Sequence, residues 1–365
     1  MNDRTGGLGR ARLERLIAGA MTAPSGDNCQ PWTFRWTGQE LAIRYDQERG
    51  QHRVNHGRHA AYLSLGCVLE ALSLAASAEE LRSEETLHLE DPGAGTWATV
   101  RFRAGAVPDA LAGTLAQRCT DRRLYRRGSI SPATLQALRE EAGGVQDSSL
   151  HVLERLPGEL LAYCAKADSF VWREATAYRD VMRWIRFSPE EVERTRDGIA
   201  WRALGPWVPT VPGLRLARSP AARELVERLR LYTVSSLWAR AQLESAAALL
   251  CLTVHSLERS ALVSAGRRML RSWLRLNQAG YAVQPFALPA LPVYMVRAGG
   301  LPDGTRPEFE ALFREGHGVL SRAFGLAGPE LPVMLLRTGV APPLPRELRA
   351  LRRTVPQVFE WAGPS

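Results

Sequence analysis

The chain has 365 residues, 45% hydrophobic and 23% charged, enough to bury substantial cores without a covalent or metal staple. Five scattered cysteines (Cys29, Cys67, Cys119, Cys164, Cys251) form no CxxC or Cys/His spacing, so neither a disulfide framework nor a zinc site is signalled, and reduced thiols in the cytoplasm are expected. The net charge of +9 comes almost wholly from arginine, Lys166 being the only lysine; it is interspersed with acids and lacks a recognition-helix or aromatic-interleaved pattern, which argues against a nucleic-acid partner.

The first residues carry Asp3 and Arg4 instead of an apolar signal core, and no run of eighteen apolar residues occurs, so a soluble protein without a membrane partner is expected. From Leu8 to Met21 apolar residues recur at helical spacing, and Ala23-Pro24-Ser25-Gly26-Asp27-Asn28 ends that helix in a turn. Alternation over 32–36 and 41–45 around Thr37-Gly38-Gln39 predicts a hairpin. A buried helix follows from His59 to Ala78, and a strand from Thr96 to Arg103.

A second series opens at Ser131-Pro132, an N-cap and first-turn pair that predicts a helix to Ala142. After Gly143-Gly144 comes a strand at 150–153, then two apolar helices over about 222–257 and 262–279. Two closing strands at 293–297 and 332–337 flank a helix near 306–324. Both series run helix, loop, strand and long buried helix, which suggests a duplication with halves at 1–115 and 116–365. Residues 170–218, rich in Trp, Arg and Pro, fit neither and read as a lid or a surface-packed insertion.

Two strings carry chemistry. In Ala23-Pro24-Ser25-Gly26-Asp27-Asn28-Cys29-Gln30-Pro31-Trp32-Thr33-Phe34, Pro24 and Gly26 shape a tight turn while Ser25 and Asn28 present short hydrogen-bonding groups. In Arg118-Cys119-Thr120-Asp121-Arg122-Arg123-Leu124-Tyr125, arginine forks suit a phosphate. The first string resembles the A-P-S-x-x-N-x-Q-P-W-x-F loop of the nitroreductase superfamily and the second its R-R-[ST]-x-R segment, with Cys119 departing from the usual basic residue. Residues 337–343 and the pair Arg352-Arg353 resemble its closing strand and terminal basic pair. Further similar stretches at 58–70, 178–184, 197–199 and 280–285 point to the fused, single-chain Acg-like branch.

That resemblance implies an α+β fold in which an internal duplication forms a single-chain pseudo-dimer, with mixed and antiparallel sheets flanked by helices. It implies FMN bound through Arg118, Cys119, Thr120, Arg122, Ser25, Asn28, Gln30, Arg352 and Arg353. The first half holds the loop and the second half the arginine string, so one FMN per chain is expected. No GxGxxG follows a strand, so NAD(P)H enters as a transient electron donor and not as a resident cofactor. The implied activity is hydride transfer between flavin and a small planar substrate; the alternatives are an oxidative tailoring dehydrogenase of natural-product biosynthesis and a non-catalytic FMN store. Tyr281 is a weaker candidate for the cleft, His52, His56 and His59 read as a polar loop because no acid or cysteine matches their spacing, and monomer and homodimer both remain open.

Overall fold

The structure, a computed structural model, describes residues 8–90, 95–142, 147–205 and 218–362. Residues 1–7, most of the loop expected at 143–149, and Trp207 lie outside the described residues. Helix α1 (Arg10–Ala20) turns its Leu13, Leu16, Ile17 and Ala20 into the core, and leads to the hairpin β1 (Trp32–Trp36) and β2 (Leu41–Tyr45). Helix α2 (His59–Ala78) occupies the expected bounds, followed by β3 (Leu81–Leu87) and β4 (Thr96–Ala104). Helix α3 (Pro132–Ala142) starts where Ser131 Oγ accepts the Thr134 amide at 3.2 Å. Strand β5 (Ser148–Leu153) and α4 (Gly158–Asp168) complete the entry to the insertion.

In the insertion, α5 (Ala175–Trp184) and the two-residue strands β6 (Ile185–Arg186) and β7 (Ile199–Ala200) gather around Tyr178, Met182, Ile185 and Phe187, with Trp172 and Trp201 against them. Then come α6 (Tyr232–Glu244), β8 (Ala248–Val254), α7 (Arg259–Gln278), β9 (Tyr281–Phe286), α8 (Leu291–Arg297), α9 (Pro307–Phe324), β10 (Leu331–Val340) and β11 (Phe359–Trp361). The architecture is α+β. One sheet has the order β11-β1-β2-β4-β3, mixed because β11 runs parallel to β1; the other, β5-β8-β10-β9, is antiparallel throughout.

Two expectations are corrected. The helix expected over 222–257 is two helical pieces followed by strand β8, whose alternate residues Leu250 and Leu252 face one core while Leu249 and Cys251 face another. A strand buried on both faces has no period to separate it from a buried helix. The strand expected at 293–297 is helix α8, with Pro292 in its first turn and Val293, Tyr294 and Met295 buried; its β-branched residues yielded to a packing that a seven-residue helix satisfies. Strands β3 and β9 were not anticipated. β3 is a polar edge strand, and Pro285 argues against a strand except at the edge, where β9 lies.

The two long helices meet where α2 and α7 cross. A Cβ on Gly66 would lie 2.0 Å from the Val263 carbonyl oxygen, and one on Gly266 would lie 2.0 Å from that of Leu63. Each glycine is the eighth residue of its twenty-residue helix, and the contact is reciprocal. Around the crossing, Arg271 pairs with Glu70 at 2.7 Å and Asp109 at 3.0 Å, and Arg275 with Glu141 at 3.0 Å, tying elements of both sequence series together. By length and composition α2 would suffice to cross a membrane, yet 83% of its most apolar window is buried inside the protein. It is the spine of the core.

Gly266→Ala is expected to destabilise by about 2 kcal/mol or more through overpacking against backbone, although Ala ordinarily favours a helix; Gly158→Ala, with open space, should leave Tm unchanged or slightly raised. Thermal denaturation of the two variants checks both. A pH effect follows from His59, half-buried and edge-on to Tyr294 at 5.0 Å, where burial, then His56 and Arg259, lower its pKa from 6.5 to about 4. The folded state favours the neutral ring, so this contribution is complete above 6.5 and is lost as pH falls through about 4. His59→Phe should lessen the fall of Tm over that interval.

Candidate functional site

The arginine string lies extended beside the second sheet: Thr120 bridges Val283, the Asp121 amide donates to Val283 O at 3.0 Å, and the Arg126 amide to Val340 O at 2.8 Å. Arg337 of β10, fully buried, supports it from beneath. Its Nη1 donates to Gln242 O at 3.0 Å and its Nη2 to Asp121 O at 3.2 Å and Arg123 O at 2.6 Å, with the guanidinium 3.9 Å from the Tyr125 ring centroid. Burial lowers its pKa to about 10, so it remains a cation at neutral pH. Carbonyls satisfy it, and it thereby fixes the backbone that carries Arg118 to Arg122.

The other string makes a one-turn 3-10 segment at Gly26–Asn28, and Asp27 and Asn28 within it and Gln30 just after it all have positive φ (48°, 56° and 49°). Such left-handed non-glycine residues persist only where the surroundings enforce them. Here Ser25 Oγ accepts the Gln30 amide at 2.9 Å. Asn28 Nδ2 donates to Gly198 O and Leu351 O, both at 3.0 Å, and its Oδ1 accepts from Arg352 Nη1. Gln30 Nε2 donates to Arg196 O at 3.0 Å while its Oε1 accepts the Arg353 amide at 2.9 Å. Asn28 and Gln30 thus hold the insertion and residues 351–353 onto the loop, while Ser25 closes the loop on itself.

A buried ion pair reinforces that latch. Arg49 donates to Cys29 O at 2.7 Å and pairs with Asp197, which Arg186 also contacts at 2.9 Å. Burial alone would raise the Asp197 pKa, but hydrogen bonds from Arg49 and Arg186 bring it below the usual carboxylate range. Asp197-Gly198 is visible in sequence as a turn dipeptide; its role as the socket for Arg49 is not, because the two are 148 residues apart.

The structure brings Arg118, Cys119, Asn28 and Arg352 together. Arg118 is buried, its guanidinium 4.6 Å from the Trp273 ring centroid and its Nε donating to Thr22 O at 2.8 Å, while Nη1 has no partner. Arg352 Nε and Arg353 Nη1 are likewise buried without a partner. Burial lowers the Arg118 pKa to about 10 and, with the neighbouring Arg118 cation, puts that of Arg352 well below the ordinary guanidinium range. Among the described residues no carboxylate pairs with either. Two like cations held together in low dielectric are costly unless an anion joins them.

Thr120 and Arg122 instead line a neighbouring cleft of about 550 Å³, faced by Leu124, Trp201, Trp238 and Leu348. Trp238 Nε1 is buried there without a partner. A second cleft, of about 740 Å³, includes His52 and Asp180. Asp27, part of the loop string but not among the expected flavin contacts, links the two: burial raises its carboxyl pKa, opposed by His52 in one cleft and Arg122 in the other. Tyr281 does something else, accepting the Ser131 amide at 2.9 Å and so pinning the start of α3.

The fold is similar to several solved structures. The FMN-dependent nitroreductase NfnB of Mycobacterium smegmatis, solved with NADPH, aligns at 14% identity over 67% of this chain and 94% of its own, with a TM-score of 0.38. A nitroreductase with bound FMN from Desulfitobacterium hafniense aligns at 12% over 65% and 92%, TM-score 0.34. The FMN and NADPH-dependent nitroreductase NfnB of Sphigopyxis sp. strain HMH aligns at 17% over 70% and 100%, TM-score 0.36. No family model matches the chain. No curated protein matches it either.

The buried arginines predict that exchanging chloride for phosphate at constant ionic strength raises Tm. Arg352→Gln should remove most of that rise, since a charge-assisted hydrogen bond of about 1.5–3 kcal/mol is lost. An equal rise in both proteins would show that the anion binds elsewhere.

Proposed function

We propose that this protein is an FMN-dependent oxidoreductase of the nitroreductase type, in which duplicated halves at 1–115 and 116–365 form one pseudo-dimeric unit with one flavin. The observation that carries the reading is the pair Arg118 and Arg352: buried, mutually repelling, and left with unpartnered N–H groups that match a phosphate. The duplication is supported by strand order. β1-β2-β4-β3 and β5-β8-β10-β9 are the same sequence of four antiparallel neighbours, and α2 and α7 occupy equivalent places before β3 and β9.

The residues present fit FMN. Arg118 and Arg352 would hold the phosphate, with Arg353 beside them, and Thr120 and Arg122 would face the ring system in the cleft walled by Trp201 and Trp238. Bound flavin supplies a two-electron redox centre, and the protein supplies position and a dry site. Ser25, Asn28 and Gln30 act by holding the strained loop, the insertion and residues 351–353 in one arrangement. The tryptophans exclude water and suit a flat small-molecule substrate, with NAD(P)H as the electron donor.

A second reading, flavin sequestration without turnover, is favoured by one observation: the insertion is fastened to the loop at Arg196 and Gly198. The absorbance spectrum of the purified protein, followed by anaerobic addition of NADH or NADPH, separates the readings. Flavin bands that bleach within seconds support the reductase; bands that persist support sequestration. If neither copurified nor added FMN binds, both are wrong. Asn28→Ala should release the latch and accelerate reduction in a sequestering protein, whereas in a working reductase it should weaken flavin binding and slow turnover.

A further inference from the structure

The cleft of about 740 Å³ takes no part in the phosphate site, and its walls are unusual in charge. Two long helices begin there. Arg58 immediately precedes α2 and Arg259 is the first residue of α7; neither helix has an acid in its first turn, and Glu258, the cap residue of α7, makes no side-chain capping hydrogen bond and, among the described residues, no ion pair with Arg259. A helix N-terminus already carries partial positive charge, so an arginine at that end is unfavourable unless an anion lies nearby. Arg58 also has a left-handed backbone, with φ 62°, directly after Gly57 at φ 64°. The chain accepts this conformational strain at the point where it presents a guanidinium to the cleft.

The arginines rest on aromatic faces. Arg58 lies 5.6 Å from the Tyr45 ring centroid and Arg259 lies 6.0 Å from that of Tyr62, while Tyr45 and Tyr62 each stack on Trp97 at 4.0 Å and 4.7 Å. Cation–π contact fixes the guanidinium plane without neutralising its charge. Arg259 donates to the carbonyls of Leu89 and Glu90, and among the described residues neither it nor Arg58 has a carboxylate partner. The third cation, Arg183, reaches Glu48 only at 3.8 Å, and Glu48 is 88% exposed. Among the described residues Asp180 is the one acid in the lining, and His52 contributes a buried Nδ1 without a protein partner.

We propose that this cleft binds an aromatic carboxylate, its acid group taken by Arg58, Arg259 and Arg183 and its ring seated among the guanidinium and tyrosine faces. A cleft of this size is ordinary for a small organic ligand. A flat anion meets both features of the wall: it supplies a counter-charge to the arginines at two helix ends, and it matches planar groups already oriented by stacking. The lining contains neither Arg118 nor Arg352, the arginines proposed to hold the flavin phosphate.

Isothermal titration calorimetry on the purified full-length protein tests it, with 4-nitrobenzoate as probe and uncharged 4-nitrobenzamide as its isostere. Saturable one-to-one binding of the acid is expected, with the amide at least about tenfold weaker. Arg58→Gln and Arg183→Gln should each weaken the acid at least about fivefold, with unchanged Tm and unchanged flavin content by absorbance. Absence of saturable binding, equal affinity for acid and amide, or acid binding untouched by both substitutions in folded protein would overturn the proposal. Because flavin content is read from the same samples, failure here stays distinct from failure of the redox assignment.

Discussion

Two carbonyl oxygens and two glycines govern this structure. The close approach of α2 and α7 at Gly66 and Gly266 fixes the spacing of the two sheets, since each helix carries a sheet on its flank and shares one continuous core with the other. A side chain at either position would separate the helices, and the separation would propagate to everything that spans both sheets. The arginines around the crossing are consistent with this: Arg271 and Arg275 meet acids drawn from α2, α3 and the segment between the sheets, so the ionic layer is in register only when the helices touch. Partly buried pairs of this kind specify alignment more than they add stability.

Much of the frame was legible in the sequence because its signals are local. The bounds of α2, the Ser131-Pro132 start of α3 and the alternation of β1 and β2 each express a period or a cap within a few residues. The failures share the opposite cause. β8 is apolar on both faces because a core lies on each side, and α8 carries strand-like residues but sits where a short helix fits. The site was legible as chemistry and not as arrangement. Arg118 and Arg352 were identifiable as anion-seeking groups, but their juxtaposition depends on a fold that brings together positions more than two hundred residues apart. For Asn28 and Gln30 the expected partner was a flavin, and nothing local in the sequence indicates the backbone carbonyls of Gly198 and Arg196 that their side chains reach.

The loop at 25–30 shows how strain and fastening are coupled. Three left-handed non-glycine residues within four positions would relax in an isolated peptide. They are retained because side chains of the same loop reach outward to Gly198, Arg196, Leu351 and Arg353, and those segments are in turn held by Asp197 with Arg49 and Arg186. Any ligand that competes for one of these amides therefore acts on the whole assembly. Conformation at the loop and closure of the insertion form one equilibrium, and a bound group that prefers one closure state shifts both.

β11 adds a constraint in time. It pairs in parallel with β1, and the residues just before it supply Arg352 to Asn28, a partner 324 positions earlier in the chain. At about 5–20 residues per second of synthesis, roughly 16 to 65 seconds separate the emergence of the two. Throughout that interval β1 presents an unpaired edge with Trp32, Phe34 and Trp36 on its inner face, a template for association with other nascent chains. The loop also lacks its late partners during that time. The proposed anion site is thus among the last features to form in the cell, and a ribosome-bound chain bearing α1 and the first hairpin would hold the sequence of the loop without its geometry.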